Sequence, residues 1–445
     1  DFGKVDYTPK ARLGDTDCMA AKWLSSSSIV CKIPGGGCTG VSIAVSVLGY
    51  NNGTQYGVAT KQFSYDAPSL SSIDVGNNTG PTSGGTDFRI NGKNFGAGHH
   101  SIAYRIGSTV MNQTTWISDT FVMGKVPAGV CKELTLGITV CDSEGTLSGV
   151  FSYYTPNVTG TSGGEVNQMS FKGARTGAAL DPAPSVPLVL QTGGSTVSVT
   201  GAYFGHADYS ARVRFASTAG TSTNWTSDTA VQAVNPSGVC ADHHIVTTVC
   251  DQTGTKEGAF CYDIPFVTAG TNRWPNRPTT GSQTISLLGV NFGTAQYSPA
   301  GRVMWTELKS EWTSGSSDTP SKNYTGTACM GTGWISFSSV SCKYPAGIYP
   351  DHVVRFTICG QGTNNNETTF SYDEPKILNL RYGNSPATGQ VSMHVTGFNF
   401  GTADYSAKMY VGHTERIVHV PANASQTAFT ATDWESDTSL FTKTP

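Results

Sequence analysis

Five times along the chain a Phe-Gly pair is followed, in fixed order, by a tyrosine, a tryptophan and a proline. The pairs are Phe2-Gly3, Phe95-Gly96, Phe204-Gly205, Phe292-Gly293 and Phe400-Gly401. Five residues after each Phe stand Tyr7, Tyr209, Tyr297 and Tyr405, with His100 in the second copy. Trp23, Trp116, Trp225, Trp334 and Trp434 follow, and a proline lies eleven residues beyond each of them: Pro34, Pro127, Pro236, Pro345 and Pro445. Self-similarity at a period of roughly 90–110 residues means a string of like modules, each of ordinary domain size. Repetition of this kind argues for a scaffold more than for a single catalytic centre.

Composition says what each module is made of. Charged residues are 13% of the 445, glycines number 52, and Ser and Thr are abundant throughout. That mixture suits short strands and tight turns and is poor material for helices. The formal net charge of −3 leaves no broad basic footprint, so a nucleic-acid partner is not expected. No apolar run approaches the ~20 residues needed to cross a bilayer, so no membrane contact is expected within this segment. Asp1 stands immediately before a Phe-Gly and Pro445 ends on the frame's proline. The first and last modules therefore read as incomplete. Either the chain continues beyond this segment or neighbouring copies complete the terminal sandwiches in a fibre.

The second module shows the local grammar. Gly80-Pro-Thr-Ser-Gly-Gly-Thr86 supplies turn chemistry, and Phe88 and Ile90 then alternate with polar residues, the period-two pattern of a half-buried strand. Leu134 to Val140 alternates again, a turn follows at residues 142–145, and the module closes on Phe151-Ser-Tyr153 before Pro156. The same closing pattern recurs at Phe63/Tyr65/Pro68, Phe260/Tyr262/Pro265 and Phe370/Tyr372/Pro375. About seven short strands per module imply a two-sheet antiparallel sandwich. Only two residues separate the closing Tyr from the next module's Pro, too few for a loose tether, so neighbours should pack and the array should be stiff.

These residues resemble the IPT/TIG family of immunoglobulin-like domains. The resemblance rests on Thr82-Ser-Gly-Gly-Thr86, on Gly92-Lys-Asn-Phe-Gly96, Gly289-Val-Asn-Phe-Gly293 and Gly397-Phe-Asn-Phe-Gly401, and on Cys31-Lys-Ile-Pro34 and Cys342-Lys-Tyr-Pro345. It implies an all-β chain, a tandem array of immunoglobulin-like antiparallel β-sandwiches. The expected domains are 1–67, lacking its opening strands; 68–155; 156–264 and 265–374, each with an insertion; and 375–445, lacking its closing strands. The third module departs from the pattern at Gly201-Ala-Tyr-Phe-Gly205.

Eleven cysteines cannot all pair within one chain. Cys18 and Cys31 flank Trp23 with the spacing at which Cys329 and Cys342 flank Trp334, and the family pairs these positions, so two disulfides within modules are implied. Cys131/Cys141 and Cys240/Cys250 also recur at equal spacing, but each pair brackets a strand whose ends lie about 30 Å apart, whereas a disulfide needs Cα atoms within about 7 Å. Either the segment loops back or the partners lie elsewhere; Cys250 with Cys261 is one option. Cys38 and Cys359 occupy the two halves of this pattern in modules that lack the other half. No Cys-x-x-Cys knuckle suggests zinc.

Eight Asn-x-Ser/Thr acceptors are present: Asn52, Asn77, Asn112, Asn157, Asn224, Asn323, Asn366 and Asn423. Covalent glycans are expected on most if the protein is secreted, which the disulfide spacing supports. No catalytic constellation, metal site or cofactor is expected. The doublets His99-His100 and His243-His244 place neighbours on opposite faces of a strand, a poor chelate. The recurring Ser118-Asp119-Thr120, Ser227-Asp228-Thr229 and Ser436-Asp437-Thr438 read as turns held by Asp and hydroxyl hydrogen bonds. The expected role is that of a non-enzymatic, extracellular or cell-surface structural glycoprotein. It would self-associate, or join further copies of the module, in a coat, appendage or fibril. The alternative is an adhesive or ligand-binding ectodomain of a receptor-like membrane protein.

Overall fold

The tight turns and β-formers of the sequence make strands almost everywhere. The structure, a computed structural model, describes residues 1–48, 54–98, 101–111, 113–164, 186–268, 276–306, 324–363, 370–411 and 427–445. Among these the single helical element is a three-residue 3₁₀ turn, Gly76–Asn78. The chain divides into two compact units: Asp1–Ser162, Thr196–Val234 and His244–Glu257 form one, and Gly163–Ser195, Asn235–His243 and Gly258–Pro445 the other.

In the first unit, the second repeat is a two-sheet sandwich. One sheet runs Thr109–Met111, Ile102–Ile106, Leu134–Val140, Ser143–Tyr153, with Thr79–Gly80 added in parallel to the last strand. The other runs Thr114–Ser118, Phe121–Lys125, Asp87–Lys93, Ser69–Asp74. Alternation aims Phe88, Ile90, Ile138 and Phe151 into the space between the sheets, where each is at most 1% exposed. The first repeat contributes Thr16–Asp17, Lys10–Leu13, Val41–Leu48 and Thr54–Phe63 as one sheet and the hairpin Ala20–Ser25 with Ser28–Lys32. The third repeat's strands Asn157–Gly163, Thr196–Ala202, Ala230–Val234 and Ser222–Ser227 form a further four-stranded sheet.

In the second unit, the fourth repeat packs Phe266–Val267, Thr284–Val290, Ser339–Lys343 and Gly331–Ser336 against Tyr324–Ala328, Ala300–Thr306, Val353–Ile358 and Gln361–Gly362. The fifth has Lys376–Arg381, Ser392–Phe398, Ser439–Lys443 and Ala431–Ser436, with the short pair Tyr410–Val411 and Thr427–Ala428.

The recurrent frame has a physical cause at each position. The Phe side chain is core: Phe95, Phe204 and Phe292 are fully buried. The glycine after it turns the chain with φ between +88° and +104°, a left-handed conformation that residues with a Cβ adopt at a cost. The tyrosine four residues on packs its ring against that glycine. A Cβ on Gly205, Gly293 or Gly401 would sit 2.5–2.6 Å from the ring of Tyr209, Tyr297 or Tyr405. Each tryptophan half-buries its ring one residue before a β-bulge, at Trp23/Ser25, Trp116/Ser118, Trp225/Ser227, Trp334/Ser336 and Trp434/Ser436.

Candidate functional site

The recurring chemistry of this chain collects where one repeat meets the next, and it is assembled from three devices. The first closes each repeat. Tyr65, Tyr153, Tyr262 and Tyr372 donate their hydroxyls to the carbonyls of Pro34, Pro127, Pro236 and Pro345, at 2.8, 2.7, 3.0 and 2.6 Å. The frame's proline thus anchors the closing tyrosine. Each ring also presses on a glycine: a Cβ on Gly129, Gly238 or Gly347 would approach Tyr153, Tyr262 or Tyr372 to 2.5–2.8 Å. Burial pushes the Tyr262 hydroxyl up to about 12, with Asn235's hydrogen bond opposing the rise, and raises Tyr153 and Tyr372 from their ordinary value of 10.0.

The second device is the Ser-Asp-Thr turn after the tryptophan. Ser118 and Thr120 hydroxyls lie 3.2 Å apart, as Ser227/Thr229 and Ser436/Thr438 do at 3.1 and 3.3 Å. The serine hydroxyl holds this turn, accepting the threonine N–H at 3.2–3.3 Å, and the aspartate reaches outside it. Asp119, Asp228 and Asp437 accept the backbone N–H of Gly96, Gly205 and Gly401 at 2.8–2.9 Å, fastening the Phe-Gly turn to the opposite strand connection. Asp228 also accepts the Thr82 hydroxyl at 2.6 Å, and Asp437 that of Thr279 at 2.5 Å. Both threonines belong to the Gly-rich turn of the preceding repeat.

The third device is covalent. Cys38 bonds Cys141, Cys131 bonds Cys250, and Cys240 bonds Cys359, with Cα–Cα distances of 5.2, 5.3 and 5.1 Å. In every case the first cysteine lies four residues after a frame proline and the second follows the long strand of the next repeat. Neither Cys131 with Cys141 nor Cys240 with Cys250 closes on itself, and Cys250 does not take Cys261. Leu134–Val140 and His243–Val249 are straight seven-residue strands that hold each pair apart. Cys261 is free and buried. The staggered pattern stops at Leu48, which stands at the place of Cys141 in the first repeat, and at Tyr349, which stands at the place of Cys131 in the fourth. Two glutamines reinforce the bridges: Gln252 Nε2 donates to the Tyr153 carbonyl at 2.9 Å and Gln361 Nε2 to the Tyr262 carbonyl at 3.1 Å.

Two further disulfides lie within repeats, Cys18–Cys31 and Cys329–Cys342, with Cα–Cα 5.7 and 5.6 Å. In each, the first cysteine lies in the connection before the tryptophan's strand and the second on the strand that pairs with it. The acceptor asparagines Asn77, Asn157 and Asn224 are exposed. Asn52, Asn112, Asn323, Asn366 and Asn423 lie outside the described residues, as do His99 and His100. His243 donates its Nε2–H to the Val239 carbonyl (2.8 Å) and stacks on Phe260, while His244 faces Glu257 from the exposed side at 3.9 Å. Among the described residues no group of three His, Cys, Asp or Glu could hold a metal ion. No helix among them is long and apolar enough to cross a membrane. In the second unit an open cleft of about 670 Å³ is lined by Tyr349, Tyr372, Phe400, Tyr405 and Met409 among others.

Antiparallel sandwiches repeated along one chain, each closed by a tyrosine on a proline carbonyl, define a tandem immunoglobulin-like protein. Residues 68–153 and 186–262 match the IPT/TIG domain model, and the chain carries IPT/TIG domains in those segments. The sequence matches no curated protein. Among solved structures it is similar to the full extracellular region of plexin A4, with 14% identity, 98% of this chain and 39% of that one covered, and a TM-score of 0.22. It is also similar to the surface glycan-binding protein PbSGBP-B of Prevotella bryantii, with 13% identity, 54% and 67% covered, and a TM-score of 0.28. The I9–I11 tandem of titin matches at 6% identity over 65% of this chain and 96% of that one, with a TM-score of 0.20. The chain spans about two-fifths of the plexin region it matches. Likeness of this degree carries no functional meaning.

Proposed function

We propose that the chain is a non-enzymatic structural glycoprotein of an extracellular surface, a stiff array of IPT/TIG modules built into a coat, appendage or fibril. The modules divide at 1–67, 68–155, 156–264, 265–374 and 375–445. The observation that carries the reading is the set of three disulfides joining consecutive repeats. A binding module needs its own fold; it does not need its neighbour's position fixed covalently, whereas a load-bearing array does. Disulfides in this number persist in an oxidising compartment, which favours secretion and glycans on the exposed Asn77, Asn157 and Asn224. Self-association, or further modules of the same kind, would extend the array.

The open cleft lined by Tyr349, Tyr372 and Tyr405 favours a second reading, an adhesive or ligand-binding ectodomain. Electron microscopy of the purified native glycoprotein separates the two. Ordered filaments or sheets are expected. Isolated particles that bind a soluble ligand stoichiometrically and never assemble would overturn the structural reading in favour of the ectodomain.

A further inference from the structure

The Gly-rich turns of the second, third and fourth repeats each bury one side chain at the same place. Thr82, Gln191 and Thr279 are all 1% exposed. Each backbone carbonyl accepts an N–H from the glycine two residues after the frame proline, Gly129, Gly238 or Gly347, at 2.9 Å. The three positions are therefore equivalent. What they meet is not. Thr82 and Thr279 donate to Asp228 and Asp437, the aspartates that already cap Gly205 and Gly401.

The fourth repeat has no such aspartate, since Phe337 stands three residues after Trp334. Gly293, the glycine of its Phe-Gly turn, would then lose the acceptor that Asp119, Asp228 and Asp437 give its counterparts. Instead Gln191 Oε1 accepts the Gly293 N–H at 2.9 Å in a buried setting, while Gln191 Nε2 donates to the Asp263 carbonyl at 2.7 Å. The glutamine, longer than threonine, reaches across and supplies the missing acceptor.

We infer that each junction is keyed: the buried residue of the Gly-rich turn and the residue three after the next repeat's tryptophan form a matched pair, either Thr with Asp or Gln with a residue that is not acidic. A wrong combination has a definite defect. Thr beside Phe leaves a buried glycine N–H without an acceptor. Gln beside Asp leaves two acceptors competing for one N–H, with a carboxylate buried beside an amide oxygen; both are costly. Neighbouring repeats are consequently not interchangeable, and the surface that recognises the fourth repeat is specific for a partner whose turn presents an amide. The inference concerns order within the array and holds whatever the array is for.

The test is hydrogen exchange of the full-length glycoprotein resolved to single amides. Gln191→Met, which keeps the volume and removes the acceptor, should speed exchange at Gly293 at least tenfold. Gln191→Thr should do the same, and adding Phe337→Asp to it should restore Gly293 to within twofold of the parent. Thr279→Val is the control that folds with little change of shape. Gly401 keeps its own Asp437, so its exchange should stay within twofold. The inference is overturned if Gly293 is unaffected by both Gln191 variants, or if the double variant is no better protected than Gln191→Thr. It is also overturned if Thr279→Val exposes Gly401 tenfold, since that variant keeps the Asp437 acceptor and exchange would then report a loosened junction instead of a missing acceptor. That last arm reports even if the Gln191 variants fail to fold.

Discussion

Replacing Cys131 and Cys250 by serine should loosen two repeats at once. When both repeats unfold, the bond closes a loop of 119 residues, and chain entropy puts its stabilisation at about 5 kcal/mol at 25 °C. When only the second repeat opens, its end stays tied to a folded neighbour. The loop is then the stretch from Cys131 to Pro156, about 25 residues, for which the same relation gives about 3.5 kcal/mol. The expected loss is thus about 3.5–5 kcal/mol, felt in the strand Leu134–Val140 and in residues 244–249. Cys18→Ser with Cys31→Ser, closing only 13 residues, should cost about 3 kcal/mol and should leave the second repeat alone. A chain of several modules does not unfold in two states, so a single midpoint is uninformative. Peptide-resolved hydrogen exchange across a urea series measures each strand's opening free energy separately. The reasoning is refuted if removing Cys131–Cys250 costs less than about 1 kcal/mol, or if only one of the two repeats responds.

Other outcomes follow from the closing tyrosines. Tyr153→Phe leaves the buried Pro127 carbonyl without its donor and should cost about 1–3 kcal/mol, read as a fall in the second repeat's urea midpoint. Gly347→Ala forces a methyl to within 2.8 Å of the Tyr372 ring and should cost about 1–3 kcal/mol in the fourth repeat, and combined with Tyr372→Leu, which removes the ring it meets, the two changes should cost less than the sum of their separate costs. Burial raises the hydroxyls of Tyr104 and Tyr262 from 10.0 to about 12, desolvation outweighing the Lys125 backbone bond to the former. The folded state therefore favours the neutral phenol: this stability is whole below pH 10 and declines as pH rises from 10 towards 12. Denaturant midpoints should be flat from neutral pH up to about 10 and then fall, and Tyr104→Phe with Tyr262→Phe should flatten that decline.

Strand positions, the two-sheet sandwich and the turn role of Ser-Asp-Thr were legible because each rests on neighbours in sequence. Period-two burial of Phe88 and Ile90 needs only the pleat, and a tyrosine three residues before a junction proline needs only the recurrence. Cys18–Cys31 and Cys329–Cys342 were legible from their shared spacing, but the partners at the junctions were not. Spacing alone shows that Cys131 cannot reach Cys141 along a straight strand; which residue it does reach depends on how the second and third repeats meet. One sign was present, since the separations Cys131–Cys250 and Cys240–Cys359 are both 119 and Cys38 and Cys359 are left over at opposite ends of the pattern. The aspartates were read as turn residues, and their bonds to Gly96, Gly205 and Gly401 went unseen because they cross between distant segments. Gln191 gave no signal at all. It looks like any polar turn residue until Phe337, 146 positions later in the chain, is set beside it.

The staggered bridges also dictate how such a polypeptide matures. As the ribosome extends it, each junction cysteine waits for its mate in the next repeat: Cys38 for Cys141, 103 residues later, and Cys131 for Cys250, 119 residues later. At roughly 5–20 residues per second that wait is about 6–24 s, during which the thiol stands open to oxidases and to exchange with wrong sulfurs. Cys240 repeats the situation one repeat further on. Translation halted after the second or the third repeat would leave a dangling junction thiol, so secretion of properly oxidised material requires that synthesis run through to the repeat bearing Cys359.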